Sequence, residues 1–247
     1  MSDLAMVMPM AGRGSRFARE GVAVPKPLVD LGGKPFFWWA AQSVLRVTPV
    51  RQMVFVVLQE HIDAFAIDRA IRDFHPKADI VAIPDVTAGA AETARIGMEA
   101  VAGDGPVAVN DCDHAFICPA LADVAAQHAG DASGALLCFQ SSNPAYSYAR
   151  LDGAGNVVGT VEKQAVSPFA IAGCYAFASP ARFLEVYDAY RAACPYDELF
   201  VSGMYNLLIE RGGTVLKMEA ERHLSFGTPA ERARITPEAF APFTAWR

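Results

Sequence analysis

The chain has 247 residues, 53% of them hydrophobic, and a formal charge of −6 at pH 7. That length and apolar content can bury one substantial core, so one large domain is expected rather than two. The acidic balance argues against a general nucleic-acid binder, which would carry a basic face. No long uncharged apolar segment is present to span a membrane.

The N-terminus lacks a basic region followed by a signal-type apolar core, so a cytoplasmic location is expected. Cys112, Cys118, Cys138, Cys174 and Cys194 are odd in number and form no C-x-x-C. They read as reduced, mostly buried thiols, and a zinc site is not expected.

In chain order, Leu4 to Met8 is an apolar run short enough for a buried parallel strand. The next stretch, to Pro35, holds Gly12, Gly14 and Gly21, then Arg13, Arg16 and Arg19, and the rigid Pro25-Lys26-Pro27. Glycines let backbone N–H groups approach an anion closely, and neighbouring cations add charge to that cradle. A loop that wraps the phosphates of a nucleotide is the expectation. Phe17 stands where the dinucleotide fingerprint needs its third glycine, and no G-x-x-x-x-G-K-[ST] occurs, so neither of those loops is present.

Phe36 to Val47 has helical length and apolar character, with Pro35 at its start. Its Trp38 and Trp39 are expected in the core or at a subunit interface, which leaves a homo-oligomer open. Met53 to Leu58 is a buried strand, Ile62 to Phe74 an amphipathic surface helix, and Ile80 to Ile83 a third strand. Thr87 to Thr93 is rich in small residues and leads into a helix through Ala102, a junction where a flat base can lie on the backbone.

Val107 to Asn110, a fourth strand, ends in Asp111-Cys112-Asp113. Carboxylates at the C-terminal end of a parallel strand sit where open α/β sheets bind ligands, and magnesium is held by one or two such groups plus substrate phosphates. Leu121 to Ala129 reads as a helix and Ala135 to Phe139 as a strand. Tyr148 to Val157 reads as a hairpin running into Val161-Glu162-Lys163, and Phe169 to Phe177 as another strand. Helices over Pro180 to Ala193 and Glu198 to Arg211, then a strand over Val215 to Met218, complete the pattern. Strand and helix alternate throughout. The expected class is α/β: a Rossmann-like three-layer fold with a mostly parallel central sheet and a small β-hairpin subregion. The nucleotide-binding half is expected over about residues 1–140 and an acceptor-binding half over about 141–235.

The strand, G-x-G-x-R-F and P-K-P-L-V together resemble the signature of the nucleotidyltransferases, or pyrophosphorylases, that activate sugar phosphates and related phosphorylated metabolites. Thr87 to Thr93 is similar to that family's T-x-G-x-A-x-T, Val161 to Lys163 to its V-E-K, and Ala172 to Phe177 to its A-G-x-Y-x-F. The resemblance runs from about residue 5 to residue 231. It implies transfer of a nucleoside monophosphate from a nucleoside triphosphate to a phosphate monoester, most simply a sugar 1-phosphate, with release of pyrophosphate and Mg²⁺ as cofactor.

The same resemblance assigns Arg16, Lys26 and Asp113 to catalysis. Ala11, Gly12, Arg13, Gly14, Lys26, Gly89 and Ala91 would bind the nucleotide, with Lys26 and Arg16 on the triphosphate. Glu162, Lys163 and Gly173 would face the acceptor, and Asp113 would hold the metal with Asp111 as second candidate. His114 is expected to be structural or a substrate contact. Loss of Lys26 should cost turnover and leave stability nearly unchanged.

His223 to Glu231 departs from the family's closing W-x-D-x-G-T-P-x-D: Ser225 replaces the second metal aspartate and His223 the tryptophan. Glu219, Glu221 or Asp111 is then the source of a further oxygen, or one metal suffices, or activity is reduced. A cytidylyltransferase acting on a non-sugar phosphate, a glycosyltransferase with a D-x-D metal site and a degenerate nucleotide binder remain as alternatives.

Overall fold

A computed structural model of the chain describes residues 3–127 and 132–246. The elements are β1 (Leu4–Pro9), α1 (Ser15–Arg19), β2 (Asp30–Leu31), β3 (Lys34–Pro35), α2 (Phe36–Leu45), β4 (Val50–Leu58), α3 (Gln59–Phe65), α4 (Ile67–Phe74), β5 (Asp79–Ile83), α5 (Ala90–Met98), β6 (Val107–Asn110), β7 (His114–Ile117) and α6 (Ala120–Gln127). There follow β8 (Ala132–Gln140), β9 (Tyr148–Leu151), β10 (Val157–Val161), β11 (Phe169–Phe177), α7 (Pro180–Ala193), α8 (Val201–Glu210), β12 (Thr214–Glu219), β13 (Arg222–Ser225), α9 (Pro229–Ala233) and α10 (Pro237–Thr244). The end of the helix expected to Ala129 lies outside the described residues.

One sheet runs β10-β9-β11-β6-β1-β4-β5, with β8 beside β11 and β12 beside β8. β5, β4, β1 and β6 are all parallel, whereas β11 pairs antiparallel with β6, β8 and β9. The molecule is α/β: the parallel strands β6, β1, β4 and β5 form one side of the sheet, ending at the β5 edge, and the mixed strands around β11 form the other. β1 shows how the sequence builds the layers. Because side chains alternate across a strand, Leu4, Met6 and Met8 join one core with α2, while Ala5 and Val7 join another with α5, α7 and α8. Trp38 and Trp39 belong to the first core, 7% and 0% exposed, and the Trp39 indole donates to the Leu31 carbonyl at 2.8 Å.

Two elements differ from expectation. The surface helix over Ile62 to Phe74 is two helices, because Ala66 adopts a left-handed conformation (φ 50°) between them, after which Ile67 and Ile71 turn into the core. The helix expected from Glu198 begins instead at Val201, since Leu199 bridges to residues 88 and 91 through both its N–H and its C=O, each at 2.9 Å. A backbone paired on both sides that way is extended rather than helical.

Buried polar bonds fix the site end of the sheet. Asn110 donates to the Ala40 carbonyl at 3.0 Å, and the Ser43 hydroxyl accepts from Phe116 N at 2.9 Å, so α2 holds both sides of the turn carrying Asp111 and Asp113. Strands β7 and β13, not anticipated from the sequence, pair antiparallel and bring Gly227 beside Asp113.

Gly97 lets α5 lie directly on the sheet: a Cβ there would stand 2.5 Å from Val7 Cγ1 and 2.8 Å from Val56 Cγ2. Gly97→Leu is therefore expected to destabilise the protein by about 3 kcal/mol through overpacking. Thermal unfolding should show this as a drop of roughly 5–10 °C in Tm.

Candidate active site

The P-K-P stretch forms a single 3-10 turn over Lys26–Leu28, with Leu28 N bonded to the Pro25 carbonyl at 2.8 Å. Proline on each side fixes the backbone, so little freedom is left for the direction of Lys26. Gly14, left-handed at φ 59°, packs against it; a Cβ at Gly14 would lie 3.0 Å from Lys26 Cβ. Phe17, buried on α1, anchors the loop beneath. The result is an ion pair between Lys26 Nζ and Asp113 Oδ2 at 2.8 Å, with side chains 27% and 14% exposed.

The two aspartates behave differently. Burial pushes the Asp113 carboxyl up, but the Lys26 ammonium, then His114, more than reverse this and hold it well below the usual carboxylate range. Asp111, which makes no ion pair of that kind among the described residues, is pushed up to about 7 by burial and then by the Asp113 charge. Burial depresses Lys26 less than the facing Asp113 and its neighbours raise it, so it stays charged. Between the aspartates, burial pushes the Cys112 thiol up to about 12, which leaves it protonated and a poor nucleophile.

Two clefts meet here. One, of about 350 Å³, is lined by Ala11, Gly12, Lys26, Gly89, Asp111 and Asp113 among others. The other, of about 260 Å³, is lined by Arg16, His114, Glu162, Lys163 and Gly173 among others. Ala90, Asp111, Glu198 and Phe200 border both. Gly173 is left-handed (φ 68°), and a Cβ there would come within 2.9 Å of both Asp111 Oδ2 and His114 Cδ2. The register shift of β11 at this glycine makes the room Asp111 needs.

In the second cleft, Glu162 accepts from the Ser147 hydroxyl at 2.8 Å and from the Ser202 hydroxyl, and burial raises its carboxyl. Lys163, itself left-handed at φ 54°, sits over the Phe200 ring at 5.0 Å.

Several sequence-based assignments shift by position. Arg16 borders the second cleft with Lys163 rather than the cleft that holds Lys26. Arg13 is turned outward onto Asp85 at 2.9 Å, both side chains exposed. Ala91 is fully buried and spends its N–H on the Leu199 carbonyl, so Ala90 takes the lining position expected of it. Lys26 is not the stability-neutral loop residue expected, because it neutralises a buried carboxylate.

Of the carboxylates considered for the place of Ser225, Glu219 is occupied by Lys217 at 2.7 Å and Gln140 at 2.8 Å, and Glu221 is exposed. Glu231 is the acid near Asp113, across Gly227, accepting from the Tyr146 hydroxyl at 2.6 Å and Thr228 at 3.1 Å. Burial, aided by Glu231, pushes Tyr146 up to about 12, so it remains a donor. His223 is turned inward, stacked on Phe139 with ring centroids 3.7 Å apart and 2.8 Å from His114 through Nε2 and Nδ1. Burial lowers both imidazoles, His223 the further.

Sequence reasoning missed Glu198, Tyr146 and the His114–His223 contact. No local signal marks Glu198, because only the Leu199 bridge carries it to the seam between the clefts. Among the described residues no three His, Cys, Asp or Glu side chains gather as a metal cage. Asp111 and Asp113 offer hard oxygen ligands from one side only, a donor set suited to a cation whose other ligands are phosphate oxygens and water.

Residues 7–154 match the family described as the MobA-like NTP transferase domain, more than half of the 247-residue chain. The chain belongs to the MobA-like NTP transferases. It is a nucleotidyltransferase, similar at 26% identity and a TM-score of 0.78 to a nucleoside-diphosphate-sugar pyrophosphorylase from Vibrio cholerae RC9, over 92% of this chain and 98% of that one. Two further solved structures share the fold. An inositol-1-phosphate CTP transferase from T. maritima is 15% identical with a TM-score of 0.75, over 97% of this chain and 94% of that one. A putative glucose-1-phosphate thymidylyltransferase from Bacillus anthracis is 16% identical with a TM-score of 0.76, over the same 97% and 94%. No curated protein matches the sequence.

Two measurements test the electrostatics of the transferase. Lys26→Ala removes one half of a mostly buried pair and should cost about 2 kcal/mol at neutral pH by chemical denaturation, below the roughly 3–5 kcal/mol of a fully buried pair because both side chains keep some exposure. Asp111 has a folded pKa above its unfolded value, so the native state holds its proton more tightly. Its contribution to stability is therefore present below the ordinary carboxylate range and falls as pH rises through the elevated folded value. Asp111→Asn, studied without divalent metal, should flatten that decline and raise the thermal midpoint at alkaline pH relative to wild type.

Proposed function

We propose that the protein transfers a nucleoside monophosphate from a nucleoside triphosphate to a phosphate monoester, a sugar 1-phosphate, releasing pyrophosphate with Mg²⁺ as cofactor. The observation that carries this reading is the meeting of the two clefts at Asp111, beside the Lys26–Asp113 pair. Residues 1–140 would form the nucleotide-binding half and 141–235 the acceptor-binding half of a single domain, working in the cytoplasm.

In this mechanism the triphosphate lies along Ala11, Gly12 and Lys26. Lys26, charged and held by its flanking prolines, neutralises phosphate oxygens. Arg16 and Lys163 attract the acceptor phosphate on the other side of the seam. Glu162 and Glu198 accept from acceptor hydroxyls, which suits a polyol such as a sugar. A phosphate monoester is already anionic, so attack on the α-phosphorus needs positioning and charge neutralisation more than a general base. Asp113, with Asp111 beside it, would hold Mg²⁺, which supplies Lewis-acid neutralisation of the phosphoryl oxygens. Glu231, replacing the oxygen that Ser225 does not supply, keeps negative charge near that position and holds Tyr146 in place.

The test is a pyrophosphate-release assay with Mg²⁺, pairing ATP, CTP, GTP, UTP and dTTP with a library of phosphate monoesters. A sugar 1-phosphate should give turnover. Lys26→Ala should lower it at least tenfold, and Asp113→Asn should abolish the magnesium-dependent part. Consumption of a nucleotide sugar with no pyrophosphate from any triphosphate would replace this reading with glycosyl transfer.

A further inference from the structure

We propose that the nucleotide cleft selects a base with an amino group at pyrimidine C4 or purine C6, cytosine or adenine, over uracil, thymine and guanine, which carry a keto oxygen at that position. Thr87 and Thr93 make the choice. The inference rests on the nucleotide-binding reading above, together with the expectation from the sequence that the base lies on the segment from Thr87 to Thr93.

Both hydroxyls border that cleft, along with Gly89 and Ala90. Their oxygens are 2.7 Å apart, a separation at which one hydroxyl must donate to the other. The Gly89 carbonyl lies 2.9 Å from Thr87 Oγ1 and 3.3 Å from Thr93 Oγ1. The shorter set of bonds sends the Thr93 proton to Thr87 and the Thr87 proton to the Gly89 carbonyl. Both protons are then spent inside the segment. The Gly89 N–H also points at Thr87 Oγ1, at 3.4 Å, and adds to the donors already directed there. What Thr93 presents to a ligand is an oxygen with lone pairs and no proton.

The segment is not free to reorganise for another base. Gly89 (φ 154°) is pressed against Leu199, where a Cβ would lie 2.6 Å from both backbone N and O. Leu199 N donates to Ala88 O and Leu199 O accepts from Ala91 N, each at 2.9 Å, while Glu92 takes the Ala88 N–H at 2.7 Å. Among the described residues lining the cleft there is no Asn or Gln, whose amide could turn to offer either a donor or an acceptor. Lys26, Asp111, Asp113 and Glu198, the charged members, belong to the phosphate side and the seam. Reading the base edge therefore falls to the main chain and this hydroxyl relay.

An amino group donates to the relay oxygens without disturbing them. A keto oxygen at the same place meets lone pairs, and accommodating it means breaking the bond to Gly89 or leaving a buried oxygen unpaired. A site whose polar groups are locked in one sense discriminates more sharply than one that can flip.

Calorimetric titration of the five triphosphates, without acceptor, reads base choice independently of turnover. CTP should bind at least tenfold tighter than UTP and dTTP, and ATP at least tenfold tighter than GTP; comparing CTP with ATP gives the ring size. Thr93→Val keeps the shape and removes the oxygen, and should bring the CTP to UTP ratio within about threefold of unity. Thr93→Ser, which keeps the oxygen, should retain the preference and serves if the valine variant folds poorly. UTP, dTTP or GTP binding as tightly as its amino counterpart in the wild-type protein would overturn the proposal while leaving the nucleotide-binding reading intact. Failure to bind any triphosphate would remove that reading and the proposal together.

Discussion

The contact on which the rest of this molecule depends is the ion pair between Lys26 and Asp113. It joins a glycine-rich loop near the N-terminus to the turn just past β6, two residues 87 positions apart in the chain. Neither side chain would be stable alone in that place. The lysine is largely withdrawn from water, the aspartate more so, and each makes the other's charge tolerable. Withdrawal from water also makes the charges effective toward a ligand, since attraction grows as the local dielectric falls.

Around that pair the protein keeps a deliberate imbalance. Asp111, Asp113, Glu162, Glu198 and Glu231 are gathered near the seam, with Lys26, Arg16 and Lys163 as their cationic company. Asp111 bears the consequence as a carboxyl that burial and its acidic neighbour make reluctant to ionise. A site strained in this sense favours whatever positive charge arrives, and a divalent cation carried in by phosphates fits that demand. The His114–His223 pair stands beside Asp113, where burial works against its charged form.

Glycine acts here at a few points of contact rather than as general flexibility. Gly173 opens β11 so that Asp111 can stand beside it, and Gly227 lets the end of β13 close on Asp113. Gly89 permits Leu199 to lock the segment proposed to hold the base. Each marks a place where two chain segments must approach more closely than any side chain allows.

Much of this was legible in the residues themselves. The continuous apolar runs Leu4–Met8 and Met53–Leu58 and the helical spacing around them determined the layered α/β arrangement, because unbroken runs report strands buried on both faces and helical periodicity reports which face packs on them. Pro25-Lys26-Pro27 and Asp111-Cys112-Asp113 were visible as chemistry, since rigid loops and paired carboxylates at strand ends have few other uses. What only the tertiary structure decided is which of these groups face one another. That Lys26 rests on Asp113, that Arg16 borders the second cleft, that Ala90 rather than Ala91 borders the first and that Glu198 and Glu231 join the site all depend on contacts between segments far apart in the chain. Sequence spacing carries the period of a helix or strand, but it carries no record of the through-space distances that set charge and hydrogen bonding.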